Sequence, residues 1–235
     1  MEHESEDERW IWLSFVSEHR LILGAYAGPM TQDSADRIIQ ITGEKINEKK
    51  LPIFITDGRK YYAEALLKRY GEYTVFPKTG KRGRPRKPRQ MPLEELKYAQ
   101  VIKTREGGKV INIQRKIIFG EKEDIDESII STAYIERQNL TLRQDNNRLT
   151  RKTIGYSKKD EWLQHQTTLQ ITNHNFIRTH ESLKIVDKKQ IKGKTWKKYR
   201  KQTPTMSIGI TDHIWTLKEL LTYPYHQELQ PIKGS

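Results

Sequence analysis

The sequence contains no cysteine, which excludes a disulfide framework and any thiolate-held metal and fits a reducing compartment. It also lacks long apolar runs. None approaches the roughly 18 residues that a membrane-spanning helix needs, so no membrane partner is expected. The opening MEHESEDERW is acidic where a secretion signal would be basic and then apolar, and a cytoplasmic location follows. The histidines show no ligand spacing. His174 and His180, six apart in a helical pattern, fall on different faces, and no structural zinc is expected. There is no internal repeat. Acid is in deficit as well: 30 Asp and Glu stand against 43 Lys and Arg, leaving +13. Such a surface seeks a polyanion. The chain's 235 residues, 34% of them hydrophobic, suffice for one domain of ordinary size with a modest core.

What is present reads as an α/β chain. RWIWLSFV and RLILGAYAG are two aromatic and β-branched runs that predict a hairpin. TQDSADRIIQITGEKINEKK predicts an amphipathic helix of about four turns, with Thr31, Asp33 and Ser34 as capping candidates and Ala35, Ile38, Ile39 and Ile46 at helical spacing. LPIFITDG reads as a buried strand delivering Asp57 at its carboxyl end. RKYYAEALLKRYG reads as a short helix closed by Gly71. KTGKRGRPRKPRQMP is a basic loop. Beyond it, two strand-like runs flank Glu106-Gly107-Gly108 and predict a second hairpin. From Ser131 to about His180 the pattern is helical, broken near GYSKKD, where Ser157 is the candidate cap of a helix whose apolar face includes Trp162, Leu169 and Phe176. The stretch from Leu183 to Pro204 is basic and irregular, and TDHIWTLKELL predicts a short capped helix.

Two carboxylates carry the chemistry. A strand-end Asp57 and a helix-start Glu136, brought together by a sheet, are what a two-metal phosphoryl-transfer site needs, because ions held by oxygens can clamp the attacking and leaving oxygens of a phosphodiester. Taken singly, Asp57 is also an ordinary residue of a TDG turn, and Glu136 an ordinary carboxylate at a helix N-terminus. Asn139, Leu140 and Arg143 follow Glu136 at three, four and seven positions and share its face. Arg148, Arg151 and Lys152 extend the basic surface.

The strings STAYIERQNLTLRQDNNRLTRKTIGYSKK, TDGRKYY, HNFIRTHESL and TPTMSIGITDHIW resemble the catalytic part of insertion-sequence transposases with a DDE site, in the group with an ERxNLxLR helix typified by small enterobacterial elements. The resemblance runs from Trp10 to about Leu221. It implies an RNase H-like mixed sheet flanked by helices, a basic loop insertion and a helical C-terminal part. It also implies Mg²⁺ (or Mn²⁺) held by Asp57 and Glu136 as the second and third acidic residues of the triad, strand transfer at element ends, and room for a homo-oligomer on DNA. Beside the resemblance, the residues themselves offer as DNA-binding candidates Arg82, Arg84 and Arg86 in the basic loop and Arg137, Asn139, Arg143, Arg148 and Arg151 on and beyond the glutamate helix. In that family the first aspartate lies on the first strand in a DExW-like motif, and this chain has DERW at Asp7 to Trp10. Only two strand-like runs precede the first helix, however. The expectation is therefore a chain lacking the family's first strand and its aspartate; Asp7 as a ligand on a shortened scaffold is the alternative.

The expected organisation is an acidic linker remnant over 1–9, a catalytic domain over 10–180 with the basic loop at 78–92, and a basic connector, short helix and tail over 181–235. Arg82 to Pro85 spell RGRP, the core of an AT-hook that lies in a narrow minor groove; a loop contacting phosphates without sequence preference is the other reading. For the whole chain, the alternative to a transposase is a DNA-binding protein of the same fold that cuts nothing and regulates its parent element.

Overall fold

The computed structural model describes residues 8–76, 86–150, 154–186 and 199–224. The chain divides into two compact units, Met1–Ser17 with Ile22–Thr168, and Glu18–Leu21 with Leu169–Ser235. The architecture is mixed α/β. The expected first hairpin forms: β1 (Trp10–Val16) pairs with β2 (Leu21–Gly28).

Helix α1 (Gln32–Gly43) buries Ser34, Ala35, Ile38, Ile39 and Thr42, one stripe at helical spacing. It is a turn shorter than its sequence pattern suggests. Ile46 lies beyond the helix end, half-buried against the same core. Thr31 holds the N-cap position, but its hydroxyl faces Ser34 Oγ at 3.4 Å and caps no backbone N–H.

The sheet that positions the site is mixed. Strand β3 (Phe54–Asp57) runs parallel to β6 (Tyr98–Glu106), and β6 runs antiparallel to β7 (Lys109–Phe119). The second expected hairpin is therefore β6–β7, turning at Gly107 and Gly108, whose φ values of 56° and 81° lie in the left-handed region. Strand β3 stands at the sheet edge. This is why it is only half-buried where its apolar run predicts full burial. Helix α2 (Tyr61–Tyr70) intervenes between β3 and β6.

Two sequence expectations fail between α2 and β6. Gly71 does not close α2 in a left-handed turn: it is extended, with φ −118°, and opens β4 (Gly71–Thr74). Space is what demands glycine there, since a Cβ would stand 2.4 Å from the Leu67 carbonyl oxygen. The far end of the expected basic loop is strand β5 (Arg89–Pro92), antiparallel to β4. The Gln90 amide fixes the join by donating to the carbonyls of Lys68 and Gly71, each at 3.3 Å. The loop's RGRP core, Arg82 to Pro85, lies outside the described residues.

Strand alternation gives the sheet two unlike faces. On one, Phe54, Tyr98 and Phe119 join Trp12, Ala35, Ile38, Ala65 and Leu66 in the main core, beneath α1 and α2. On the other, Ile53, Ile55, Ala99, Val101 and Ile117 pack against Ile125 and Ile130 in a smaller cluster. The latter two residues come from the segment of short 3-10 turns that leads into α3 (Ala133–Asp145).

Helix α4 (Asp160–Phe176) begins three residues after Ser157, whose hydroxyl accepts from the Arg148 guanidinium at 3.0 Å instead of capping the helix. Its apolar face is not the expected one. Trp162 and Leu169 are 57% and 48% exposed, whereas Leu163, Thr167, His174 and Asn175 are buried. The buried stripe takes in small polar side chains that bond inward, such as the Thr167 hydroxyl donating to the Leu163 carbonyl at 2.7 Å. In the second unit, β8 (His180–Val186) pairs antiparallel with β9 (Tyr199–Gln202), where an irregular connector was expected. Backbone pairing asks for no hydrophobic alternation, so a basic strand there is invisible to pattern reading. A single turn, α5 (Pro204–Ser207), follows, capped by the Thr203 hydroxyl. Helix α6 (Leu217–Thr222) has a capping box between Thr216 and Glu219, as its sequence predicts.

Candidate metal and nucleic-acid site

Asp57 is the last residue of β3, paired in register with Val101 of β6. Alternation along β3 sends Phe54 and Thr56 toward the α1–α2 side, where the Thr56 hydroxyl meets Tyr98 OH at 2.8 Å. It sends Ile53, Ile55 and Asp57 toward the other side, the side of Ile125, Ile130 and α3. The parallel pairing of β3 with β6 aims the carboxylate beyond the strand end, where open α/β sheets present their ligand-binding groups.

The Asp57 backbone turns at once. Arg59 N–H donates to Asp57 Oδ1 at 3.3 Å, and the Arg59 carbonyl accepts from the Gln100 amide at 3.1 Å. That amide also donates to Tyr98 OH at 2.8 Å. Loss of hydration raises the Asp57 pKa above the ordinary carboxylate value; the Arg59 N–H and guanidinium oppose the shift, and the negative charge of Glu136 reinforces it. Tyr62 and Tyr98 are both shifted upward, first by burial and in part by the Asp57 charge. The Asp57 carboxylate is exposed at the strand end, with the Arg59 guanidinium, Tyr62 and Glu136 within electrostatic reach.

Glu136 lies in the first turn of α3, where the helix dipole favours a carboxylate. Its Oε1 accepts from the Thr132 hydroxyl at 2.5 Å and from the Lys103 ammonium. Desolvation would raise its pKa, but those two bonds and the charges of Lys103 and Arg105 outweigh it, and the carboxyl titrates below its ordinary value. Lys103 stands two residues past Val101 on the same face of β6, about 7 Å further along the strand than the level of Asp57. Sheet register thus brings Asp57, Lys103 and Glu136 to one side of one sheet, with Asp57 and Glu136 close enough to sense each other's charge.

Two carboxylates suit a hard divalent cation, which takes oxygen ligands and keeps water or substrate phosphate in the remaining positions. The upward shift of Asp57 beside Glu136 is what a cation between them would relieve. Among the described residues, no group of three His, Cys, Asp or Glu side chains could hold a metal ion. Asp7 lies outside those residues.

The DNA-binding candidates are placed unevenly. Arg137, Asn139 and Arg143 are on α3, the first exposed and the other two half-buried. Glu136, Leu140 and Arg143 line one side of the helix, while Gln138 and Leu142 are its buried stripe. Arg148 is exposed in the 3-10 turn after α3. Arg86 stacks over Phe76 with its guanidinium 5.8 Å from the ring centroid, beside Arg89 at 5.5 Å. Arg151, Arg82 and Arg84 lie outside the described residues.

Lys103 and Arg105 are the cationic neighbours of Glu136 that sequence reading missed, with Arg59, Tyr62, Tyr98 and Gln100 around Asp57. Nothing in VIKTRE singles out Lys103, because its importance comes from the parallel pairing of β6 with a strand more than 40 residues away. In the second unit, His174 and His180 do not part as a continuous helix would part them. The chain leaves α4 after Phe176 and returns on β8, setting the two rings edge to face with centroids 4.7 Å apart. Burial, followed by the charges of His174, Arg178 and Arg20, pushes His180 down to about 4.

No helix among the described residues is long and apolar enough to cross a membrane. No protein-family model matches the chain, and no curated protein or solved structure matches it.

Proposed function

We propose that this chain is the catalytic region of an insertion-element transposase of the DDE type, acting on DNA at element ends and target through a divalent cation. The observation that carries the reading is the placement of Asp57 at the carboxyl end of the parallel strand, with Glu136 near enough for its charge to bear on it, in a protein of net charge +13. The topology is compatible with an RNase H-like domain: a parallel β3–β6 pair with the candidate aspartate at its carboxyl end, helices over one face, and a glutamate on a helix over the other.

In this reading Asp57 and Glu136 would hold Mg²⁺ or Mn²⁺, which when bound supplies a polarised phosphodiester and an acidified attacking water or 3′-hydroxyl. The protein's own residues do the rest. Arg59 and Thr132 orient the two carboxylates by the bonds already described. Lys103 balances the Glu136 charge while no cation is present. Arg143 and Arg148 offer guanidinium groups to the DNA backbone beyond Glu136. Arg137 and Asn139 add contacts from the same helix.

A second reading, DNA binding without cleavage, is favoured by the Lys103 ammonium already on Glu136 and by the absence, among the described residues, of a third metal-ligating side chain grouped with the two carboxylates. A nicking assay on DNA bearing candidate element ends, with and without Mg²⁺ or Mn²⁺, separates the two. Metal-dependent cleavage that falls at least a hundredfold in Asp57→Asn and Glu136→Gln is the expected outcome. Binding with no metal-dependent cleavage would establish the second. Asp7→Asn in the same assay decides whether that residue completes the acidic set.

A further inference from the structure

The β6–β7 hairpin continues well past the sheet to which its base belongs. Tyr98, Ala99, Gln100 and Val101 are buried, but every residue from Thr104 to Gln114 is exposed, and so are Arg115 and Lys116. From Val101 to Glu106 the ribbon extends about 17 Å at the usual rise per residue. Two antiparallel strands with water on both faces have little intrinsic stability. Yet this ribbon carries β-branched side chains outward: Val110 is 41% exposed, Ile111 59% and Ile113 49%. Ile111 sits at a bulge, since Thr104 pairs with Asn112 and Arg105 with Val110, leaving it without a partner residue.

Between Ile102 and Lys116 the ribbon has five basic residues and one acid, Glu106. A second copy of the same ribbon would bring like charge against like charge, so the charge selects a polyanion over self-association. Three of the basic residues, Lys103, Arg105 and Arg115, share the face that carries the candidate site, and Lys109 and Lys116 stand on the other, so the ribbon is basic on both sides. Lys103 and Ile113 are directly paired, and Lys103 bonds Glu136, so one face of the ribbon runs from the carboxylates outward, with Arg105 near enough to lower the Glu136 pKa. Lys109 and Lys116 have no ion pair among the described residues.

We infer that this ribbon is a DNA-binding arm that enters a groove of duplex DNA, Lys109, Lys116 and Arg105 on phosphates and Ile111 and Ile113 against the base edges. A two-stranded ribbon fits the width of the B-form major groove, and apolar side chains there meet thymine methyl groups. The inference rests on the DNA-acting function proposed above. The arm would hold duplex beside Glu136 and add affinity without taking part in the chemistry.

The absence of cysteine makes the test direct. In the full chain, Lys109→Cys introduces a unique thiol at the arm, and Lys50→Cys a charge-matched control in the exposed segment after α1. Disulfide trapping with a thiol-tethered duplex should capture Lys109→Cys several times more efficiently than the control. The double variant Lys109→Gln, Lys116→Gln should lose about tenfold in duplex affinity, with a log–log salt slope shallower by about two. The pair Ile111→Ser, Ile113→Ser should lose affinity with the salt slope unchanged, and all variants should keep the parent's melting temperature because these side chains lie outside the core. Equal trapping at both positions, unchanged affinity in both double variants, or duplex RNA bound as tightly as DNA would overturn the arm, since the A-form major groove is too narrow for a ribbon. If the parent binds duplex and cleaves it while the ribbon variants bind equally well, the arm fails and the transposase reading stands. If the parent binds no duplex, both fall.

Discussion

The two faces of the β3–β6–β7 sheet use the same strands for opposite purposes. Toward α1 and α2, Tyr98, Leu66, Ala35 and Ala65 are sealed from water in a continuous apolar layer. Toward α3, the apolar cluster of Ala99, Val101, Ile125 and Ile130 ends after a few residues, and Asp57, Lys103 and Glu136 take over. One face stabilises the fold. The other carries two carboxylates within electrostatic reach of each other, one of them shifted against its preferred ionisation.

Core truncation on the two faces is the strongest way to break this comparison. Leu66→Ala, at a fully buried site in the larger core, should cost about 2–5 kcal/mol in urea unfolding. Val101→Ala, in the small cluster, should cost about half as much or less. Equal losses would mean that the site face contributes as much to stability as the helical face.

A smaller effect is expected at Lys103. Its ion pair with a half-exposed Glu136 is worth up to about 1 kcal/mol, and Lys103→Met should remove it at neutral pH. The depressed Glu136 pKa sets the sign: the folded carboxyl holds its proton less tightly than the unfolded one, so the stabilisation is present above the ordinary carboxylate pKa and is lost as pH falls through the lower folded value. Parent and variant melting curves should therefore converge in acid. In the same variant, Mn²⁺ binding followed by calorimetry should strengthen if Lys103 and the cation compete for Glu136, and an unchanged affinity would rule that competition out.

The smallest effect has the opposite sign. The folded Asp57 carboxyl has a raised pKa and holds its proton more tightly than the unfolded chain, so its ionisation costs stability as pH rises through the ordinary value toward the raised one. Asp57→Asn should consequently melt slightly higher than the parent at neutral pH in metal-free buffer, and no higher in strong acid. Divalent cation should raise the parent's melting temperature and leave the variant's unchanged. A variant that melts lower than the parent at neutral pH would refute the picture of a carboxylate whose charged form is disfavoured in the folded chain.

Much of this was legible in one dimension. The turn glycines 107 and 108 between two β-branched runs announce the second hairpin, and Thr216 with Glu219 announces a capped helix. Asp57 and Glu136 stand out because a TDG strand end and a glutamate heading a basic helix are local patterns. Helix faces were less legible. Trp162 and Leu169 suit an apolar stripe at their spacing, but α4 turns a stripe with Leu163, Thr167 and His174 inward. Its buried hydroxyl bonds back to the helix backbone, so polarity on that side carries no penalty that a hydrophobicity pattern would register. Strands β5, β8 and β9 were unreadable because backbone hydrogen bonds hold them, and those bonds are blind to the basic side chains they carry.

By itself the sequence determined the charge of the protein, the absence of thiol chemistry and the two hairpins, and it singled out the two candidate carboxylates. Those properties follow from composition and from contacts between near neighbours along the chain. Only the tertiary structure decided that β3 lies parallel to β6, and from that pairing come the level of Asp57 against Val101, the reach of Lys103 to Glu136 and the exposed ribbon beyond them. Parallel register is set by packing across a crossover, here through α2 and the β4–β5 hairpin. No short-range pattern in the chain encodes which residues of two such distant strands will stand side by side.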